Sequence, residues 1–131
     1  MCVNTLLRTE PKGVELTMKM LDTIDLPEKE RISVLHAAES LKSDLPVSRV
    51  ILFGSAARGT SDEHSDVDLL VLTTCPVSSA LRGSVSDRLA DINIQNDVVL
   101  SSIVIYENDW ADGLVRYLPI YDEVQRDGCE L

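Results

Sequence analysis

One stretch, residues 50–72, constrains this chain more than any other; it reads VILFGSAARGTSDEHSDVDLLVL. An apolar run ends at Gly54 and Ser55, a polar loop follows, and Asp66 and Asp68 open a second apolar run. Apolar runs of this length, bounded by glycine and polar residues, predict two buried strands joined by a loop. The two carboxylates therefore lie at the mouth of a strand and face a Gly-Ser turn.

The spacing of the two aspartates has an electrostatic cost. Residues i and i+2 of a strand lie on one face, so Asp66 and Asp68 are about 6.6 Å apart by Cα. Two carboxylates brought to ~4 Å would repel by about 4 kcal/mol at an effective dielectric constant near 20. A cation between them removes that cost, and Mg²⁺ with substrate phosphates is the natural candidate. Taken alone, the pair also fits a turn followed by a solvated strand end.

The Gly-Ser turn adds a second, independent signal. Gly54 lets the backbone approach a ligand closely. Ser55 can cap the following turn and donate its hydroxyl, while nearby backbone N–H groups offer an anion site. Alone, this is equally a strand-to-loop turn with a serine cap. Together with the aspartates it indicates metal-assisted phosphoryl chemistry.

The compound pattern resembles a known family. It reads GSxxRG at residues 54–59 and SDxDL at residues 65–69, and it resembles the signature of the DNA polymerase β-like nucleotidyltransferase superfamily. Within that superfamily the chain is similar to the small MNT (minimal nucleotidyltransferase) branch. The resemblance implies an α/β (α+β) nucleotidyltransferase fold, in which a mixed, twisted β-sheet is flanked by helices.

The resemblance also implies roles for the residues of the motif. Gly54 and Ser55 would hold the triphosphate of ATP, while Asp66 and Asp68 would hold two Mg²⁺ ions. The implied reaction is a two-metal, in-line displacement that leaves a nucleoside monophosphate on an acceptor hydroxyl. Arg58 is either a phosphate contact or one side of a salt bridge within the loop, with Asp62 or Glu63.

A third family carboxylate lies on a neighbouring strand and helps to deprotonate the acceptor. Asp97 is the best position, because it begins the predicted third strand, DVVLSSIVIY, and neighbouring strands lie ~4.8 Å apart. Asp97 can instead be a turn residue before that strand. Asp91 is the second candidate, but it falls on a predicted helix. The expected catalytic and metal-binding residues are therefore Asp66, Asp68 and Asp97.

Periodicity predicts the other elements. Asp25 and Glu28 have capping-box spacing, so a helix begins near Asp25 and ends at Pro46. Its buried face is predicted from the apolar positions Ile32, Leu35, Ala38, Leu41 and Leu45. The predicted order is this helix, strands at 49–53 and 67–72, a helix over 77–92, the strand at 97–106, and a last helix with Pro119 in its first turn and Gly128 just past its end.

Composition limits the classes of function. A length of 131 residues predicts one domain, at 25–131, after a partly flexible N-terminal arm, 1–24. The net charge of −10 argues against a protein that grips nucleic acid. Three cysteines without a CxxC pair fit a reducing cytoplasm. No apolar run approaches the ~20 residues of a membrane helix.

The family resemblance supplies the expected partner. Larger members of the superfamily present the acceptor on a second domain, for which this chain has no room. Small members that it resembles are typically paired with a helical HEPN protein, often as antitoxin to toxin, and can transfer AMP to a tyrosine of that partner. We therefore expect an Mg²⁺- and ATP-dependent protein adenylyltransferase. The alternatives are a non-catalytic antitoxin that neutralises its partner by contact and a nucleotidyltransferase acting on a small molecule.

Overall fold

The computed structural model describes residues 20–60 and 66–131. Four strands in these ranges form one mixed sheet: β1 (Val47–Phe53), β2 (Val67–Thr73), β3 (Leu100–Tyr106) and β4 (Cys129–Glu130). Their spatial order is β3-β2-β1-β4, with β1 antiparallel to β2 and β4, and β2 parallel to β3. With helices packed on it, this sheet confirms the predicted fold class.

The helices follow the predicted order with short additions. They are α1 (Glu28–Asp44), α2 (Ser55–Arg58), α3 (Ser79–Asn96), α4 (Glu107–Asp112) and α5 (Pro119–Asp127), with 3₁₀ turns at Leu21–Thr23 and Leu114–Tyr117. The last long helix has Pro119 in its first turn and Gly128 just after its end, as predicted. Across the described ranges, no helix has both the length and the apolar character needed to span a membrane.

The sheet is covered on both faces. One face packs on α1 and α3, and it carries Leu52 and Leu69 among its buried residues. The opposite face carries Phe53 and Leu70, which pack with Trp110 of α4. Because both faces of β1 and β2 are buried, these strands read as continuous apolar runs rather than as alternating patterns. Asp68 lies on the same face as Leu70, since it is two residues away on β2.

Helix α1 begins later than predicted. Its first residue is Glu28 and its N-cap residue is Pro27, which makes no side-chain capping hydrogen bond. The capping box of Asp25 and Glu28 is therefore wrong. The cause is Pro27, because a proline disfavours helical backbone in the residue before it and so blocks a start at Leu26 or earlier.

The predicted buried face of α1 is wrong in part. Ala38 and Leu41 are buried, but Ile32 and Leu35 are 54% and 47% exposed. The sheet is instead contacted by a neighbouring stripe of the helix, which includes fully buried Val34. Apolar residues on α1 span more than one face, so the 3.6-residue period alone does not select the buried stripe.

Residues 21–24, which the sequence assigned to the N-terminal arm, pack against α1. Arg31 donates hydrogen bonds to the carbonyls of Leu21 (2.9 Å) and Ile24 (2.8 Å), and the Ile24 side chain is buried. The rest of the proposed arm, residues 1–19, lies outside the described ranges. The division into arm and domain stays a prediction.

An ion pair between α1 and α3 predicts a pH dependence of stability. Arg88 donates hydrogen bonds to Asp44 and to Ser40, and the hydrogen bond and charge of Arg88 lower the pKa of Asp44 below its ordinary value. A depressed carboxyl pKa stabilises the fold above the unfolded-state value of about 4, and this contribution is lost as pH falls through the folded-state pKa. Asp44→Asn should therefore flatten the fall in unfolding free energy below pH 4, measured by urea denaturation. An unchanged slope would contradict this role for the pair.

Candidate functional site

Gly54 brings the backbone against the carboxylate of Asp68. Phe53, the residue before Gly54, pairs with Asp68 across β1 and β2. Gly54 has φ +79° and ψ −157°, a conformation that essentially only glycine adopts. A Cβ added at Gly54 would lie 2.5 Å from Oδ2 of Asp68. The sequence requires glycine here both for the backbone conformation and for the space beside the carboxylate.

Ser55 begins the single-turn helix that follows. Gly59 ends this turn in the left-handed conformation, with φ +75°. The carbonyl of Ser55 accepts a hydrogen bond from the backbone N–H of Thr60 at 3.1 Å. This closed turn follows directly on β1 and on Gly54, which lies beside Asp68. Their role in binding a triphosphate stays a prediction.

Asp66 and Asp68 occupy the start of β2. Asp66 is exposed and comes immediately before the strand, while Asp68 is the second strand residue and is half-buried. Their i, i+2 spacing places both on one face at one end of β2. Oδ1 of Asp68 accepts a hydrogen bond from the Ser101 hydroxyl at 3.1 Å. The Asp68 carboxylate is therefore flanked by Gly54 on one side and by β3 on the other.

Asp97 does not begin the third strand, so its predicted placement is wrong. It is the C-cap residue of α3, with φ 57° and ψ 51°, and β3 begins at Leu100. Its side chain is 98% exposed, and it pairs with Lys29 at 3.4 Å. The Asn93 side chain accepts a hydrogen bond from the N–H of Leu100 (2.8 Å) and donates one to its carbonyl (3.2 Å). These two hydrogen bonds fix the turn before the strand. Asp97 is therefore a turn residue before β3, which was the alternative prediction from the sequence.

The predicted three-carboxylate cluster is consequently not assembled. Within residues 20–60 and 66–131, no group of three or more His, Cys, Asp or Glu side chains is arranged to hold a metal ion. The structure brings Gly54, Asp68 and the adjoining Asp66 together, but pairs Asp97 with a lysine. Asp91 is exposed on α3. A catalytic role for Asp97 stays a prediction that this geometry does not support.

The remaining residues fit a hard divalent cation. Carboxylate oxygens are the ligands that Mg²⁺ prefers, and one or two carboxylates suffice when substrate phosphates complete the coordination. Asp66 and Asp68 supply two. The absence of a Cβ at Gly54 lets Oδ2 of Asp68 lie against the backbone of the Gly-Ser turn. The arrangement could hold magnesium with water or substrate phosphates as the remaining ligands, rather than in a cage of protein ligands alone.

Arg58 forms ion pairs with two carboxylates of α5. Its Nη1 lies 3.5 Å from Oδ2 of Asp127 and 3.6 Å from Oε2 of Glu123. Arg58 therefore forms salt bridges with α5, while the predicted partners Asp62 and Glu63 lie outside the described residues. These contacts join the Gly-Ser turn to the C-terminal helix. A phosphate contact by Arg58 stays a prediction.

The Arg58 contacts predict a loss of stability on substitution. In Arg58→Gln, the Asp127 side chain, only 11% exposed, loses one of its two cations. We expect the unfolding free energy to fall by about 1–2 kcal/mol, measured by urea denaturation. Arg82→Gln, at an exposed position of α3, is the matched control and should change it by less than about 0.5 kcal/mol. A tenfold rise in KM for ATP without loss of stability would instead support the phosphate contact.

Ser101 is the contact of Asp68 that sequence reasoning missed. It is the second residue of β3 and pairs with Asp68 in the parallel register of β2 and β3. Two adjacent serines within the apolar run LSSIVIY were the available signal. The register that identifies Ser101 depends on the turn at Asp97, which shifts the strand start by three residues from the predicted position.

Two comparisons with known sequences show the family of this chain, and a third, with solved structures, shows its fold. The profile of the family described as "Nucleotidyltransferase domain" matches residues 36–126. The "Putative protein adenylyltransferase MJ0141" of Methanocaldococcus jannaschii is 33% identical over 106 residues, which cover 76% of this chain and 100% of that protein. The crystal structure of a toxin-antitoxin with AMP-PNP is 18% identical with a TM-score of 0.52, covering 76% of this chain and 69% of that chain. The structural likeness shows the fold alone.

Proposed function

Because this chain belongs to the nucleotidyltransferase domain family, we propose that it transfers AMP from ATP to a hydroxyl of another protein. The observation that carries the proposal is the close approach of the Asp68 carboxylate to the backbone at Gly54, which brings the Gly-Ser turn and the carboxylate together. The relative matched over its full length carries the name of a protein adenylyltransferase, which supports ATP as donor and a protein as acceptor.

The proposed reaction is a single displacement at the α-phosphorus of ATP. The acceptor oxygen forms a bond to that phosphorus, the bond to the β-phosphate oxygen breaks, and pyrophosphate leaves. The acceptor proton passes to solvent, because no third carboxylate reaches the site within the described ranges. Two magnesium ions, when bound, would neutralise charge on the phosphates and on the attacking oxygen.

Each residue of the site has a proposed role. Asp66 and Asp68 hold magnesium, and Asp68 is oriented by its contacts with β1 and β3. Gly54 allows the phosphates to approach the backbone, and Ser55 offers its hydroxyl at the first residue of the turn. These residues position the nucleotide, so binding and orientation supply most of the catalysis.

The proposed acceptor is a tyrosine of a helical HEPN-type partner, which makes this chain an antitoxin. The resemblance to the MNT branch motivates this assignment. A solved structure that shares the fold is a toxin-antitoxin with AMP-PNP, which supports a toxin as the class of partner. A tyrosine hydroxyl is a suitable nucleophile, since its pKa of about 10 makes it easier to deprotonate than an aliphatic alcohol.

The position of the label in ATP tests the transferred group. The chain, Mg²⁺ and the partner are incubated with ATP labelled at the α-phosphate or, separately, at the γ-phosphate. We expect label on the partner from the α-labelled nucleotide alone, and its loss when the acceptor tyrosine is replaced by phenylalanine. Label from the γ-position would indicate a kinase and would overturn the proposal.

A second arm separates catalysis from neutralisation by contact. The Asp66→Asn/Asp68→Asn variant should neither label the partner nor protect cells that express it. Protection without labelling would favour the contact-only antitoxin. Label that appears in a small-molecule product and never on the partner would favour the small-molecule alternative.

A further inference from the structure

Ser101 lies where a third carboxylate would be needed. It is directly opposite Asp68 in the register of β2 and β3. Residues paired in this way point to the same face of a sheet, ~4.8 Å apart. Its exposed hydroxyl donates a hydrogen bond to Oδ1 of Asp68 at 3.1 Å. The side chain on the neighbouring strand that contacts Asp68 is therefore neutral and carries no metal-binding charge.

The two carboxylate oxygens of Asp68 have different neighbours. Oδ1 is held by Ser101, while Oδ2 faces the backbone of Gly54, 2.5 Å from the place where a Cβ would be. A hydrogen bond to a carboxylate is charge-assisted, and this one restricts rotation about the side-chain bond of Asp68. The hydrogen bond thereby fixes which oxygen of Asp68 faces Ser101 and which faces Gly54.

We propose that Ser101 is the positioning residue of the cation site, fixing Asp68 so that Oδ2 is presented to the metal. The site then has two protein carboxylates and a hydroxyl in place of three carboxylates. This inference deepens the proposed function and rests on it, because it assumes that Asp66 and Asp68 bind the cation. Groups that orient metal ligands typically change metal affinity or activity by 10–100-fold when removed.

The charge at position 101 should also set the strength of cation binding. A carboxylate at this position would face Asp68 across ~4.8 Å. It would repel Asp68 when no metal is present and attract a divalent cation to the space between the strands. Ser101→Asp should therefore bind a cation more tightly than the natural chain, whereas Ser101→Ala should bind it more weakly.

Binding of Mn²⁺ alone, followed by electron paramagnetic resonance of the free ion, tests the proposal on the full chain. We expect Ser101→Ala to raise the dissociation constant at least about tenfold, Ser101→Thr to restore it within about threefold, and Ser101→Asp to lower it below that of the natural chain. Ser102→Ala is the matched control. Ser102 is the adjacent residue of β3, pairs with Leu69 and points to the opposite face, so it should leave Mn²⁺ binding unchanged.

A kinetic readout separates positioning from a general structural effect. In AMP transfer, Ser101→Ala should raise the Mg²⁺ concentration needed for half-maximal rate while changing kcat at saturating Mg²⁺ by less than about threefold. If the natural chain binds Mn²⁺ and Ser101→Ala binds it equally well, the positioning role is overturned and the proposed function stands. If the natural chain binds no Mn²⁺, both are overturned.

Discussion

Asp68→Asn is expected to lower the rate of AMP transfer by about 10³-fold, which corresponds to about 4 kcal/mol of activation free energy. The amide keeps the shape of the side chain and can still accept the hydrogen bond from Ser101. It removes the negative charge that a cation needs beside the phosphates. The measurement is transfer of α-labelled phosphate to the partner at saturating Mg²⁺ and ATP.

Two further variants make this result specific. Asp91→Asn, at an exposed position of α3, controls for loss of acidic charge and should transfer AMP at the natural rate. Asp97→Asn should also retain most of the activity, because its carboxylate pairs with Lys29 rather than joining Asp68. A thousandfold loss in Asp97→Asn would restore it as the third carboxylate. Full activity in Asp68→Asn would contradict the site.

Gly54→Ala is expected to reduce both stability and nucleotide binding. The backbone at Gly54 has φ +79° and ψ −157°, a conformation that costs a residue with a Cβ about 1–3 kcal/mol. The added methyl group would also lie 2.5 Å from Oδ2 of Asp68, so the carboxylate has to move from its position between the strands. We expect the unfolding free energy to fall by about 2 kcal/mol, and binding of Mg²⁺ with ATP to weaken at least about tenfold.

Gly83→Ala is the matched control for this glycine. Gly83 lies within α3, and a Cβ added there meets no atom within 4 Å. Alanine is favoured over glycine inside a helix, so Gly83→Ala should raise the unfolding free energy by about 0.5–1 kcal/mol and leave binding unchanged. Equal effects of the two substitutions would show that Gly54 has no special role.

The strand-loop-strand unit was predictable because its signals are local. The glycine and the aspartates stand in one short stretch, and the two apolar runs fix β1 and β2 without reference to distant residues. The Pro-Gly asymmetry likewise placed α5. The start of α1 and its buried face were harder to predict from sequence. Pro27 prevents the helix from starting at Asp25, and the apolar residues of α1 lie on more than one face.

The side chain that faces Asp68 from the neighbouring strand could not be identified from sequence, because its identity depends on how β2 and β3 pair. The side chain of Asn93 ties α3 to the start of β3 and makes Asp97 a turn residue. Only with that turn in place does the register set Ser101 opposite Asp68. The same dependence on tertiary contacts explains why the sequence did not predict the contacts of Arg58 with α5.

The most direct test of the site is a thermal melt with Mg²⁺ and an ATP analogue whose α–β bridge is a methylene group. Such a nucleotide binds but cannot release AMP, so the test needs no partner. A ligand at about a hundredfold its Kd stabilises by about 2.7 kcal/mol, so the Tm of the natural chain should rise by roughly 10 °C. The Asp66→Asn/Asp68→Asn variant should not respond to the same addition. A natural chain indifferent to the magnesium nucleotide, or an equal rise in both proteins, would contradict a nucleotide site at Gly54 and Asp68.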